Sequence, residues 1–138
     1  NCSTDGPFDA VIGSSVLHHL HVEASLKKIF GLLKNGGVIS FTEPNFLNPQ
    51  IFLERSFSTL PIFWYVSPDE TAFVANRLGK LLTAIGFLDV YIEPFDWLHP
   101  AIPRWLVGPI NGVGRLLEKI PLMRQLAGSL HIVARRPQ

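Results

Sequence analysis

One cysteine, Cys2, stands in 138 residues, so no disulfide can form within the chain; this fits a reducing compartment, and the cytoplasm is the expected location. An excess of one charge is missing too. The 12 basic and 11 acidic residues leave a net charge of +1 and are spread along the chain, which withholds the basic footprint of a nucleic-acid binder. No nucleic-acid partner is expected. No run approaches the roughly 18 to 20 uninterrupted apolar residues of a membrane span, and no basic-then-apolar leader opens the chain, so it reads as soluble. An initiating methionine is absent as well: the chain starts at Asn1 and enters an apolar run at Phe8, which reads as a fragment or a processed product.

What is present is apolar. Hydrophobic residues make up 47% and charged residues 17%, a balance that buries enough surface to offset chain entropy, and the length suits one domain over 1–138. Phe8-Asp9-Ala10-Val11-Ile12-Gly13 is an almost uninterrupted apolar run, as expected of a central strand buried on both faces of a parallel sheet. It stops at Ser14-Ser15, the strand edge of a ligand crevice. Leu26, Ile29, Phe30 and Leu33 recur at helical spacing, so a helix is expected over Val22 to Leu33 with Asn35-Gly36-Gly37 as its left-handed stop. A second strand follows at Gly37 to Asn45, completing a right-handed βαβ unit.

A short helix is expected around Gln50 to Phe57, and Ser67-Pro68-Asp69-Glu70 has the signature of a helix start. The stripe Val74, Leu78, Leu81, Leu82 and Ile85 continues that helix to a stop at Gly86. Leu88 to Glu93 reads as a third strand and Ser129 to Arg135 as a last one, in which Leu130, Ile132 and Ala134 share one face. Between them, 98–128 is read as an insertion carrying an amphipathic helix with the stripe Val113, Leu116, Leu117 and Ile120. The Arg135-Arg136 pair reads as a solvated strand end.

Three segments carry a family resemblance: Phe8-Asp9-Ala10-Val11-Ile12 with Val16-Leu17-His18-His19-Leu20, then Leu32-Leu33-Lys34-Asn35-Gly36-Gly37, then Ile39-Ser40-Phe41-Thr42-Glu43-Pro44. In this order and spacing the chain resembles the C-terminal half of a class I S-adenosylmethionine-dependent methyltransferase. The resemblance implies an α/β fold, a partial Rossmann-like sheet that is mostly parallel with a final antiparallel strand, flanked by helices. It implies S-adenosyl-L-methionine as cofactor and methyl transfer to a small-molecule or lipid-linked acceptor. The family's glycine-rich turn and ribose-binding acid belong to a first half with no counterpart here, so the fragment itself is expected to be inactive. Gly108-Pro109-Ile110-Asn111-Gly112-Val113-Gly114 follows no strand and is not a substitute for that turn. By resemblance, the cofactor contacts are Gly13, Ser14, Ser15, Val16 and Leu17.

Candidate chemistry is weighed against plainer roles. His18 could serve as the base for a hydroxyl acceptor, or could cap or pack the turn; His19 could face the acceptor beside it. His18, His19 and His21 have poor spacing for a metal and no completing ligand, so no metal is expected. Glu43 could orient an acceptor or cap the turn that follows it. Phe46, Trp64 and Tyr65, with Trp97 and Trp105, could build an apolar acceptor pocket, with core packing as the plainer fate. Residues 102–120, with Arg115, Lys119 and Arg124 nearby, could touch a membrane surface, cover a lipid-like acceptor or simply pack on the sheet. The open flank of the first strand is an aggregation hazard that a homodimer would bury, and a non-catalytic, dimeric interaction domain is the alternative reading.

Overall fold

The computed structural model describes residues 6–57, 72–98 and 102–138. β1 (Phe8–Ser14) leads through a 3-10 turn (Leu17–His19) into α1 (Val22–Leu32) and β2 (Leu33–Pro44). α2 (Pro49–Ser56), α3 (Ala75–Ile85) and β3 (Leu88–Phe95) follow, then α4 (Arg104–Leu117), α5 (Pro121–Arg124) and β4 (Ser129–Arg135). The four strands form one sheet in the order β1-β2-β4-β3. β1 and β2 are parallel, and β4 runs antiparallel to both β2 and β3, so the expected α/β sheet with a final antiparallel strand is what the chain forms.

Connection handedness fixes where the core lies. The β1–α1–β2 crossover and the connection through α3 to β3 advance across the sheet in the same direction, and right-handed crossovers then put both helices on one face. There Leu26 of α1 and Leu78 and Leu82 of α3 close over Ile39, Phe41, Ile132 and Ala134. Phe30 meets Phe87 edge to face at 4.9 Å. Each large apolar side chain buried this way contributes about 1.5–3 kcal/mol.

That arrangement corrects the expectation for β1. The strand lies at one edge of the sheet among the described residues, Phe8, Asp9 and Ala10 are exposed, and Ile12 is 78% exposed. Its apolar run is therefore covered on one face only, through Val11 and Gly13, whose register partners are Ile39 and Phe41.

α1 also ends earlier than its glycines suggest. Leu33 is already extended at ψ 148° and fully buried, so β2 begins before Asn35-Gly36-Gly37. Gly36 does adopt a positive φ of 76°, but it forms a bulge in β2, where the register jumps from Phe8↔Leu33 to Ala10↔Val38. The carbonyls left at the end of α1 are taken instead by Arg136, whose guanidinium donates to Phe30 O, Gly31 O and Leu33 O and sits 5.1 Å over the Phe30 ring. The expectation of a solvated basic pair fails for Arg136, because a helix end without a glycine cap needs another donor.

The helix start at Ser67-Pro68 lies outside the described residues; α3 itself begins at Ala75 with Val74 as its N-cap. Gly86 ends it as expected, at φ 113°. The stripe expected in α4 divides: Val113, Leu116 and Ile120 are exposed. Leu106, Val107, Ile110, Gly114 and Leu117 turn inward instead. Gly114 lets the backbone lie against Trp97, since a Cβ there would stand 2.9 Å from the indole.

Candidate functional site

The parallel strands all end at the same edge of the sheet, where open α/β sheets place their ligands. At that edge β1 turns sharply. Ser15 takes a left-handed φ of 52°, an uncommon conformation for a non-glycine residue, and its amide donates to Thr42 O at 2.7 Å. Gly13 is required just before it, because a Cβ there would lie 2.6 Å from the Phe41 ring.

The turn is held from β2 by one carboxylate. Glu43, 1% exposed, accepts from the amides of Val16 at 3.0 Å and Leu17 at 2.8 Å through Oε1. Its Oε2 accepts from His18 Nδ1 at 2.7 Å and, at 3.4 Å, from the His18 amide. The first amides of a helical turn have no partner within it, and so many donors on one carboxylate offset the cost of burying its charge. Glu43 thus caps the turn that precedes it in the chain, whereas the sequence suggested the turn that follows.

His18 is 6% exposed and borders a cleft of about 300 Å³ together with Ser15, Asn48, Glu54, Arg55 and Trp97. With Glu43 ionised, their hydrogen bond assigns the proton to Nδ1. His19 is exposed, with its ring 4.0 Å from that of His18.

Two asparagines that the sequence pattern did not single out stand near the cleft, Asn48 lining it and Asn45 buried one residue beyond its Pro44. Buried Asn45 donates through Nδ2 to Gln125 O and Ala127 O and accepts from the Leu47 amide. Asn48 caps α2 by accepting from the Gln50 and Ile51 amides and donates to Leu126 O. Together they tie the end of β2 to the approach to β4. Asn48-Pro49 carried the signal, an N-cap followed by proline at the first helical position; the role of Asn45 toward β4 carried none, since the carbonyls it donates to are about eighty residues away.

The remaining expected site residues scatter. Gly13, Ser14, Ser15 and Val16 form the strand end, and Ser14, Ser15 and Val16 are exposed there. Leu17 sends its side chain into the core and its amide to Glu43. Phe46 packs edge to face on Phe52 at 5.3 Å and borders a different hollow, with Phe73, Val74 and Leu78. Trp97 lines the cleft and Trp105 is 76% exposed. Trp64 and Tyr65 lie outside the described residues. Among the described residues no group of three or more potential metal ligands comes together, and no helix is long and apolar enough to cross a membrane. The glycine-rich stretch Gly108–Gly114 is part of α4.

Residues 3–41 match a family described as a methyltransferase domain. No curated protein matches the chain by sequence. Among solved structures, a SAM-dependent methyltransferase from Thermotoga maritima aligns over 99% of this chain and 59% of its own, at 14% identity and TM-score 0.65. A SAM-dependent methyltransferase from Archaeoglobus fulgidus aligns over 96% of this chain and 61% of its own, at 21% identity and TM-score 0.55. Phosphoethanolamine N-methyltransferase 2 from Haemonchus contortus, in complex with S-adenosyl-L-methionine, aligns over 95% of this chain and 34% of its own, at 14% identity and TM-score 0.55. The chain therefore spans from about a third to about three-fifths of the length of these structures. The methyltransferase-domain family thus matches over residues 3–41, and over nearly its whole length the chain has the fold of these SAM-dependent methyltransferases.

Proposed function

We propose that the chain is the C-terminal, acceptor-side part of an S-adenosylmethionine-dependent methyltransferase that acts on a small-molecule or lipid-linked acceptor. The observation that carries this reading is Glu43, which fixes the turn after β1 and the His18 ring in one unit at the cleft. A bound S-adenosylmethionine would supply an electrophilic methyl group. The strand end from Gly13 to Val16 would form one wall of its site, with the other walls supplied from outside the described residues; the family match supports this assignment.

For a hydroxyl acceptor, His18 Nε2 takes the proton as the acceptor oxygen attacks, and Glu43 steadies the imidazolium that results. Glu43 on β2 and His18 in the turn after β1 would hold the acceptor beside the cofactor site. The Haemonchus contortus enzyme, whose name gives phosphoethanolamine as its acceptor, supports a polar small molecule of headgroup size. Titration calorimetry of S-adenosylhomocysteine into the intact protein tests the cofactor half of the reading, and absence of binding would sink it. His18→Gln should lower kcat about 100-fold with cofactor affinity unchanged; an unaltered kcat would leave His18 a packing residue.

A second reading has one observation in its favour. β1 pairs on one side only among the described residues and exposes Ile12, so a non-catalytic, dimeric interaction domain would pair two copies along this edge. Light scattering that finds a monomer at tens of micromolar removes it.

A further inference from the structure

α4 is apolar over one broad arc, and the protein covers part of it. Leu106, Val107, Ile110 and Leu117 turn inward, with Gly114 against Trp97. On the outward side Trp105, Val113 and Leu116 are 76%, 56% and 62% exposed, and beyond the helix end Ile120 and Leu122 are 50% and 72% exposed. At 3.6 residues per turn, Trp105, Leu116 and Val113 fall within an arc of about 80°, with Arg104 and Arg115 together along one flank. This is a continuous apolar stripe with a charged border.

Among the described residues, the exposed charges of α4 and the turn after it have one sign. Arg104, Arg115 and Lys119 are exposed. Glu118, the acidic residue of the segment, turns inward to accept from the Asp96 amide, and Arg124 pairs with Glu93. A second copy docking face to face by two-fold symmetry would bring these cations against one another. An anionic surface complements them. The tryptophan in the stripe suits the boundary between headgroups and acyl chains, and exposed apolar residues bordered by arginine and lysine are what an interfacial helix presents.

We propose that the outward face of α4 and α5 docks on an anionic lipid bilayer, lying in its interface with Trp105, Leu116 and Leu122 inserted and Arg104, Arg115 and Lys119 among the headgroups. The inference stands independently of methyl transfer.

Flotation of the intact protein with vesicles of phosphatidylcholine, with and without phosphatidylglycerol, tests it, together with quenching of Trp105 by brominated acyl chains and Trp105→Phe as the reference. The protein should float with the phosphatidylglycerol vesicles and lose binding as salt rises. Arg104→Gln, Arg115→Gln and Lys119→Gln should each weaken binding about fivefold. Leu116→Ser combined with Leu122→Ser should weaken it at least about tenfold while the circular dichroism stays unchanged, since both side chains are exposed. Absence of flotation, or flotation that ignores these substitutions, overturns the proposal. So does light scattering that shows a dimer broken by the leucine pair without any lipid binding. S-adenosylhomocysteine titration on the same samples reports the cofactor site separately, so the two readings fail independently.

Discussion

On one face of the sheet Val11, Ile39, Phe41, Ile92 and Ile132 pack beneath α1 and α3; on the other, Ile12 is 78% exposed and Tyr91 52% exposed. Val11 and Ile12 are neighbours of similar character in one strand, yet one supports the core and the other supports nothing among the described residues. The difference arises from side-chain alternation combined with two crossovers of the same hand. Hydrophobicity along a strand therefore marks what can be buried, while the connections select which half is buried.

The sharpest way to break that contrast is to delete side chains on both faces. Leu82→Ala, at a fully buried position, should cost about 3 kcal/mol, whereas Ile12→Ala should stay within about 0.5 kcal/mol. Urea unfolding followed by circular dichroism measures both, and a cost at Ile12 approaching that at Leu82 would mean the open face is covered in solution.

Glu43 is the polar member of the covered face. Glu43→Gln retains an oxygen for the Val16 and Leu17 amides but turns an NH2 group toward the His18 ring, so about 1–3 kcal/mol should be lost. The same variant should weaken turnover more than cofactor binding, which a kcat measurement beside a titration resolves.

Glycines probe the contrast more gently. Gly86 holds φ 113° against the Phe30 ring, so Gly86→Ala should destabilise by about 1 kcal/mol. At Gly31, on the outer side of α1, nothing lies within 4 Å of the place an alanine methyl would occupy. Gly31→Ala should therefore raise the melting temperature, adding up to about 1 kcal/mol of stability.

The smallest effect is expected at the exposed start of β1. Lys34 binds Asp9 at 2.8 Å and, by its hydrogen bond and then its charge, holds the Asp9 carboxyl below the ordinary value of 3.8. A depressed carboxylate stabilises the folded state above its unfolded pKa, and that support fades as pH falls through the lower folded value. Asp9→Asn should therefore leave the neutral-pH denaturation midpoint nearly unchanged and alter only the acid limb below about pH 4. A marked loss at pH 7 would show the pair to be more shielded than its exposure implies.

Local signals reached as far as local causes reach. Ser129 to Arg135 was legible because alternation and burial coincide residue by residue, and Gly86 because a left-handed stop is a property of one residue. The stretch from Asn35 to Gly37 misled, since Arg136, far along the chain, caps α1 and frees its glycine for a bulge. In α4 the pattern left the buried side open, and burial divides the stripe, with Val113, Leu116 and Ile120 outward and Leu117 inward.

The sequence by itself determined the main strands, the helices between them and the strand end at Ser14-Ser15, because periodicity, glycine and proline act within a few residues. Only the tertiary structure decided that Glu43 reaches back to the turn before it, that Asn45 grips the approach to β4, and that β1 is covered on one side. Those outcomes depend on which distant backbone groups are brought within hydrogen-bonding reach, and no pattern confined to neighbouring residues encodes that distance.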